Sequence, residues 1–343
     1  MILSSRQTVA ILMPCYNAAK YIEEAIHSLL VQTHEDFILY VVDDGSQDDT
    51  AVIVKRLALL DPRITFIIGG ENKGIIFRRN QLLSLCEANY ACWADADDIY
   101  SDVRLEKQVN FLQRSPEIGM CTSNYIKLEG DNRTPIEVPI DKLSHEYLLF
   151  YNTILNPGAM FRMELIRTHK IAFDEQLSGA SDYKFWAELS QHTQFSSVRD
   201  CLVQYRVHSE QESSAQTSRQ IQGHIETVQW NLANYGISLS LDHVAELLVF
   251  PIEKQGQGLV SQQHQQALQT IDLIFKKLKN VNEKNLRAVL IVITRAHCKR
   301  IGLSSMWFFL SRFKSQGLSS SKYCGAQLIW SMSKTDFYRL FCK

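Results

Sequence analysis

The sequence predicts an α/β fold: a mostly parallel sheet covered by helices on both faces, followed by a helical C-terminal region. Three observations predict it. Apolar, β-branched or aromatic runs at Thr8–Met13, Phe37–Val42, Ile64–Ile68 and Tyr90–Ala94 alternate with stretches of helical period. Two of these runs end in acidic clusters, Asp43-Asp44 and Asp95-Ala96-Asp97-Asp98, and an open α/β sheet binds ligands at the carboxyl ends of its strands. Beyond a Gln-, Ser- and Glu-rich stretch at Gln211–Ser218, the pattern turns mostly helical.

The elements follow in order. The first strand runs into the turn Pro14-Cys15-Tyr16-Asn17, and Ala18–Gln32 places Ile22, Ala25, Ile26 and Leu29 on one helical face. After the second strand, Asp48 and Asp49 stand where they would cap a helix over Ala51–Leu60. Ile75–Cys86 is a third helix, with Leu82, Leu83 and Cys86 clustered. Gly119–Ile126 reads as a strand, Asp131–Asp141 as a polar loop, Asp182–Gln191 as a helix and Ser197–Val207 as extended chain. Further helices are expected at Ile221–Asn234, Asp242–Phe250, Gln262–Leu278, Glu283–Cys298 and Leu303–Phe313. The division is therefore an α/β domain over 1–215 and a helical, basic region over 216–343.

Composition sets bounds. The 343 residues give room for two domains, or one with an appendage. The eight cysteines form no C-x-x-C pair and no zinc spacing, which reads as packed, reduced thiols of a cytoplasmic protein. The N-terminus runs directly into a strand and does not read as a signal peptide. No apolar stretch approaches the ~20 residues that cross a bilayer. The net charge of −1 hides an asymmetry: residues 276–343 carry 14 Lys and Arg against 2 Asp and Glu, the rest 22 against 35. Such a tail, with apolar clusters at Ala288–Ile293 and Met306–Leu310, suits helices lying on an anionic membrane leaflet. Packing of these apolar residues against the α/β domain is the other reading.

Three carboxylates crowding one strand end repel and are costly to desolvate, which points to a cation. Hard oxygen ligands suit Mg²⁺ or Mn²⁺, and those ions suit phosphate. A solvated acidic turn capping the next helix is the alternative. Asp43 and Asp44 come right at a strand end, where capping does not explain them.

Four further motifs join these clusters: Met13–Asn17, Asn72-Lys73-Gly74 with Arg78-Arg79-Asn80, Ser181–Trp186 and Tyr205-Arg206-Val207-His208. The ordered set of six, over about residues 7–210, resembles the family-2 glycosyltransferases of the GT-A fold. The resemblance implies a role for each residue. Pro14 and Tyr16 pack on the nucleotide base, and Asp43 and Asp44 hydrogen-bond the uracil or ribose. Arg79 lies near the diphosphate, with Arg78 as its neighbour. Asp95 and Asp97 match a D-x-D motif, Asp95 for sugar or ribose contact and Asp97 for the metal. His208 is a further metal or diphosphate ligand, or else an ordinary histidine after a strand. Asp182 matches the catalytic base, although the family's usual Glu-Asp reads Ser181-Asp182 here.

The implied activity is an inverting, metal-assisted transfer from a UDP-linked sugar donor to a saccharide or lipid-linked saccharide acceptor, in bacterial surface-polysaccharide or lipopolysaccharide synthesis. It places the protein in the cytoplasm or at the inner face of the cytoplasmic membrane, and expects no nucleic-acid partner. A sugar nucleotidyltransferase would want a Gly-rich phosphate loop after the first strand, and a dehydrogenase a G-x-G-x-x-G, neither of which is there. A non-catalytic nucleotide-sugar-binding or scaffold protein is the remaining alternative, against which Asp182 and the full D-x-D set argue.

Overall fold

The computed structural model describes residues 9–177, 179–208 and 217–248, with scattered positions between 270 and 293. Strand β1 (Val9–Cys15) is buried along its whole length because both faces are covered. Val9, Ile11 and Met13 enter one core and Ala10 and Leu12 the other, the period of two expected of a strand. It pairs in parallel with β2 (Phe37–Asp43) and β4 (Tyr90–Trp93), and β2 pairs in parallel with β3 (Ile64–Ile68).

Helices α1 (Ile22–Leu30) and α2 (Thr50–Leu60) cover the first face, where Ile22, Ala25, Ile26, Leu29, Val54 and Leu57 are buried. Helix α3 (Ile75–Leu85) buries Leu82 and Leu83 in the second core. The register sets Cys15 beside Asp43, so the first turn and the first acidic pair leave the sheet at the same level.

Beyond β4 the sheet turns mixed. Its order is β3-β2-β1-β4, then β8 (Met160–Arg162), β6 (Ile118–Glu129), β9 (Gln194–Arg206) and β5 (Ile99–Tyr100). Strand β8 runs antiparallel to β4 and to β6, and β9 runs parallel to β6. The short β5 closes the edge against β9. Between β5 and β6, helix α4 (Arg104–Arg114) buries Leu105, Val109 and Leu112. Residues 131–141 are not simply a loop: β7 (Asn132–Ile136) forms a hairpin with β6.

The short helices α5 (His145–Leu148) and α6 (Met163–His169) precede α7 (Ser181–Leu189), which drives Phe185, Trp186 and Leu189 into the second core. Trp93 and Trp186 are fully buried there. Cys15, Cys86, Cys92 and Cys121 are buried free thiols.

The chain divides into two compact units, Met1–Thr227 and Val228–Lys343. The first extends past the expected boundary at 215, through the opening turns of α8 (Thr217–Asn234). In the second, α9 (Leu241–Leu247) starts at Ser240, whose hydroxyl accepts from the His243 N–H. Leu303–Phe313, most of Gln262–Leu278 and Glu283–Cys298, and most of the basic tail lie outside the described residues.

Candidate active site

The turns after β1 and β2 are stitched into one unit. Asn17, in the left-handed conformation (φ 48°), accepts from the Gln47 N–H at 2.8 Å, and its own N–H donates to Ser46 Oγ at 2.9 Å. Asp48 caps the first N–H of α2, as expected, and does more. Its carboxylate accepts from Ala19 N–H (3.0 Å) and from Thr50 N–H (3.0 Å) and Oγ1, tying the first turn to the entrance of α2. Asp49 makes no capping hydrogen bond. Asp43 accepts from Ser46 N–H at 3.1 Å and from the Ser46 hydroxyl. Gly45 is left-handed (φ 76°), and a Cβ there would come 2.5 Å from the Gly70 carbonyl oxygen.

Tyr16 stands on this unit 48 % exposed. Pro14 does not join it in the turn: it is buried inside β1, beyond the end of β4, where its missing N–H costs no ladder bond. Burial first, then the charges of Asp43, Asp48 and Asp44, push the Cys15 thiol up, so it packs as a protonated side chain.

The two arginines have different tasks. Arg78 is committed to the protein: Nε donates to Asp44 Oδ1 at 2.7 Å, Nη1 to Gln81 Oε1 at 3.0 Å, and Nη2 to the carbonyls of Gly69 (2.8 Å) and Glu71 (2.6 Å). Asp44 also accepts from the Lys73 and Gly74 N–H groups at 2.9 and 2.8 Å. Asp44 and Arg78 thus build the loop from β3 to α3. Arg79 lies over the rings of Trp93 (5.8 Å) and Phe173 (5.3 Å), with Nη2 3.9 Å from Asp95 Oδ1. Its Nε is buried with no hydrogen-bond partner.

The second acidic cluster splits in the same way. The Asp95 N–H donates to Tyr100 Oη (2.7 Å), whose hydroxyl donates back to the Asp95 carbonyl (3.0 Å). Arg104, fully buried on α4, lies over the Tyr100 ring and donates to the Trp93 carbonyl at 3.0 Å. Asp98 turns inward, fully buried, and accepts from the Arg206 N–H at 2.9 Å. Burial, then the charges of Asp95 and Asp97, hold its carboxyl well above the usual carboxylate range.

Of the three crowded carboxylates, one is therefore structural, and Asp95 and Asp97 remain at the surface. Asp97 Oδ2 is 3.0 Å from His208 Nε2, and the Asp97 carbonyl accepts from Arg206 Nε at 2.7 Å. Arg206 pairs with Glu24 at 2.6 Å, and both it and His208 lie on the Tyr21 ring, 5.0 Å from its centre. His208 therefore lies against both Asp97 and Tyr21.

Asp182 belongs to a separate group. It lies in the first turn of α7, where it makes no capping hydrogen bond, and its Oδ2 accepts from Asn152 Nδ2 at 3.2 Å.

Among the described residues, no group of three His, Cys, Asp or Glu side chains is placed to hold a metal alone. Asp97 and His208 offer one carboxylate oxygen and one imidazole nitrogen; the carboxylate suits Mg²⁺ or Mn²⁺ bound with a diphosphate, whereas the imidazole does not suit the oxygen-preferring Mg²⁺.

Residues 10–171 match the family described as Glycosyl transferase family 2. An uncharacterized glycosyltransferase of Haemophilus influenzae is 30 % identical over 272 residues, covering 74 % of this chain and 83 % of that protein. The chain belongs to glycosyltransferase family 2. Chondroitin synthase of Escherichia coli is 28 % identical over 236 residues, 67 % of this family 2 chain but 33 % of that longer protein. The structure of Staphylococcus aureus TarS 1–349 in complex with UDP-GlcNAc superposes with a TM-score of 0.57 at 19 % identity, covering 85 % of this chain and 87 % of that one. The fold is GT-A.

Within this family 2 site, sequence reasoning missed Ser46, Tyr100, Arg104, Asn152 and the work of Arg206. Arg206 stood in plain view beside His208; Asn152, a lone polar residue in a loop, gave no signal.

Proposed function

We propose that this family 2 enzyme moves a sugar from a UDP-linked donor to a saccharide or lipid-linked saccharide acceptor in bacterial surface-polysaccharide or lipopolysaccharide synthesis, with inversion. The observation that carries the reading is a pair of charged groups with different partners: Asp95 lies near Arg79 and Asp97 near His208 at the strand ends, while Asp182, in the first turn of α7, accepts from Asn152. Glycosyl transfer needs both: positive charge for the leaving diphosphate and a distinct base for the acceptor.

Tyr16 offers a face to the nucleotide base, and Asp43, with Asp44 behind it, anchors the uracil or ribose. Pro14 supports that turn from within β1. Arg79 faces the diphosphate, and Asp95 contacts the donor sugar or ribose. Asp97, beside His208, would hold Mg²⁺ or Mn²⁺, which when bound neutralises charge on the departing UDP. Asp182 accepts the proton of the acceptor hydroxyl as that oxygen bonds to the anomeric carbon and the bond to the phosphate oxygen breaks.

No helix among the described residues is long and apolar enough to cross a membrane. The basic region 276–343 is proposed to rest on the anionic inner face of the cytoplasmic membrane, where a lipid-linked acceptor is presented.

The test is turnover of a panel of UDP- and GDP-sugars with Mn²⁺ or Mg²⁺ and saccharide acceptors. Metal-dependent UDP release with product formation is expected. Binding without turnover across the panel favours the scaffold reading and overturns this one.

A further inference from the structure

We infer that one face of α8, formed by Gln220, Gly223 and His224, positions Asp182. The inference rests on Asp182 as the proposed base. These three residues recur at i, i+3 and i+4 and so share a helix face. Gln220 Oε1 accepts from the Ala180 N–H at 2.9 Å, two residues before Asp182. Ala180 is left-handed (φ 48°, ψ 37°), a conformation that residues with a Cβ adopt rarely, so something must hold it. Gly223 packs directly on Gly179: a Cβ on Gly223 would overlap the Gly179 carbonyl, and one on Gly179 would come 2.5 Å from the Arg219 carbonyl oxygen.

His224 donates from Nε2 to the Phe150 carbonyl at 2.8 Å, two residues before Asn152. Its ring also packs on Tyr183 and Tyr151, 4.7 and 6.0 Å between centres. The face ends at the buried Thr227, whose hydroxyl donates to the Gly223 carbonyl.

One helical face therefore fixes two backbone segments at once. Residues 179–181 lead into Asp182, and residues 150–152 carry the Asn152 amide that donates to it. The sequence placed this helix outside the catalytic domain, beyond 215. The first unit's extension to Thr227 includes all four residues of the face. Gln220, Gly223 and His224 touch no reacting atom in this account; they are positioning residues, acting through Ala180, Gly179 and Phe150.

The test uses the full chain carrying Gln220→Ala, Gln220→Glu, Gly223→Ala or Asp182→Asn. The probe is whichever UDP- or GDP-sugar the wild-type chain turns over fastest. Transfer kcat, donor KM, UDP affinity with Mn²⁺ and thermal melting are measured. Gln220→Ala is expected to lower kcat ~10-fold and Gly223→Ala ~100-fold, the scale of a misplaced catalytic group, with donor KM and UDP affinity changed less than ~2-fold.

Gln220→Glu keeps an oxygen for the Ala180 N–H and should restore kcat to within about twofold of wild type. Unchanged kcat in Gln220→Ala, equal loss in the Ala and Glu variants, or a matching loss of UDP affinity overturns the inference. If Gly223→Ala does not fold, the Gln220 pair still decides. Asp182→Asn separates the two levels: full transfer by that variant overturns the base itself, whereas an inactive Asp182→Asn beside an unaffected Gln220→Ala overturns only the role of α8.

Discussion

Adjacent arginines on one helix should fail in opposite ways when replaced. Arg78 is 3 % exposed, Asp44 beside it 6 %, and Arg78 donates to Asp44, Gln81 and two backbone carbonyls. Arg78→Met leaves a buried carboxylate without its counter-charge, a loss of roughly 3–5 kcal/mol where such pairs are broken on one side. The Lys73 and Gly74 N–H groups still reach Asp44, which puts the expectation at the lower end, about 3 kcal/mol. At about 2–4 °C per kcal/mol for a unit of this size, the melting temperature should fall by about 6–12 °C.

Arg79→Met is different. It places an unbranched apolar chain against Trp93 and Phe173 and removes an N–H that the protein itself does not satisfy. Its stability should change by less than ~1 kcal/mol, while transfer should fall ~10²–10³-fold, the scale of losing one charge-stabilising donor. Thermal and urea unfolding, alongside turnover, read both. Destabilisation by Arg79→Met equal to that of Arg78→Met, or unimpaired transfer by Arg79→Met, refutes the division of labour.

Three further outcomes are expected. Arg206→Met removes the donor to the Asp97 carbonyl, so the Mn²⁺ concentration for half-maximal turnover should rise ~10-fold; an unchanged metal titration contradicts the role of Arg206. Burial lowers the pKa of His145, His192 and His224, each helped or opposed by a neighbour: His192 and Glu146 beside His145, His169 beside His192, Asp182 beside His224. The unfolded chain then takes up these protons first, so their contribution is complete above about pH 6.5 and is lost as pH falls below it. The fall in melting temperature from pH 7.5 to 5.5 should be smaller in His145→Gln/His192→Gln than in wild type, and equal slopes defeat the argument. Finally, the full chain should co-sediment with vesicles containing anionic lipid, leave them at high salt, and lose binding when truncated near residue 275. Equal indifference to anionic and neutral vesicles removes the proposed membrane contact.

The parallel half of the sheet was legible because burial makes β1, β2 and β4 largely continuous apolar runs, the last two of which stop at aspartates. Strands β5 and β8 were not, because two and three residues carry no period. β7 is polar and contains Pro135, so it reads as loop, yet hairpin pairing with β6 makes it a strand. Helix α4 escaped notice because Arg104 and Gln108, both fully buried, sit on its apolar face and break the pattern.

The site shows the same limit. Acidic clusters and arginine pairs can be seen in sequence; which member turns inward cannot. Asp98 is buried by a partner 108 residues away, and Asp44 by one 34 residues away. The division between structural and ligand-facing charges is made by those long-range bonds.

The measurement that bears most directly on the account compares wild type with Asp182→Asn in transfer kcat and in donor affinity by calorimetry. The amide keeps the shape of the side chain but cannot accept a proton. Donor affinity should stay within ~2-fold while kcat falls at least ~10²-fold, the scale of general base catalysis. An Asp182→Asn enzyme with undiminished kcat would show that the acceptor's proton goes elsewhere and that Asp182 serves only the fold of α7.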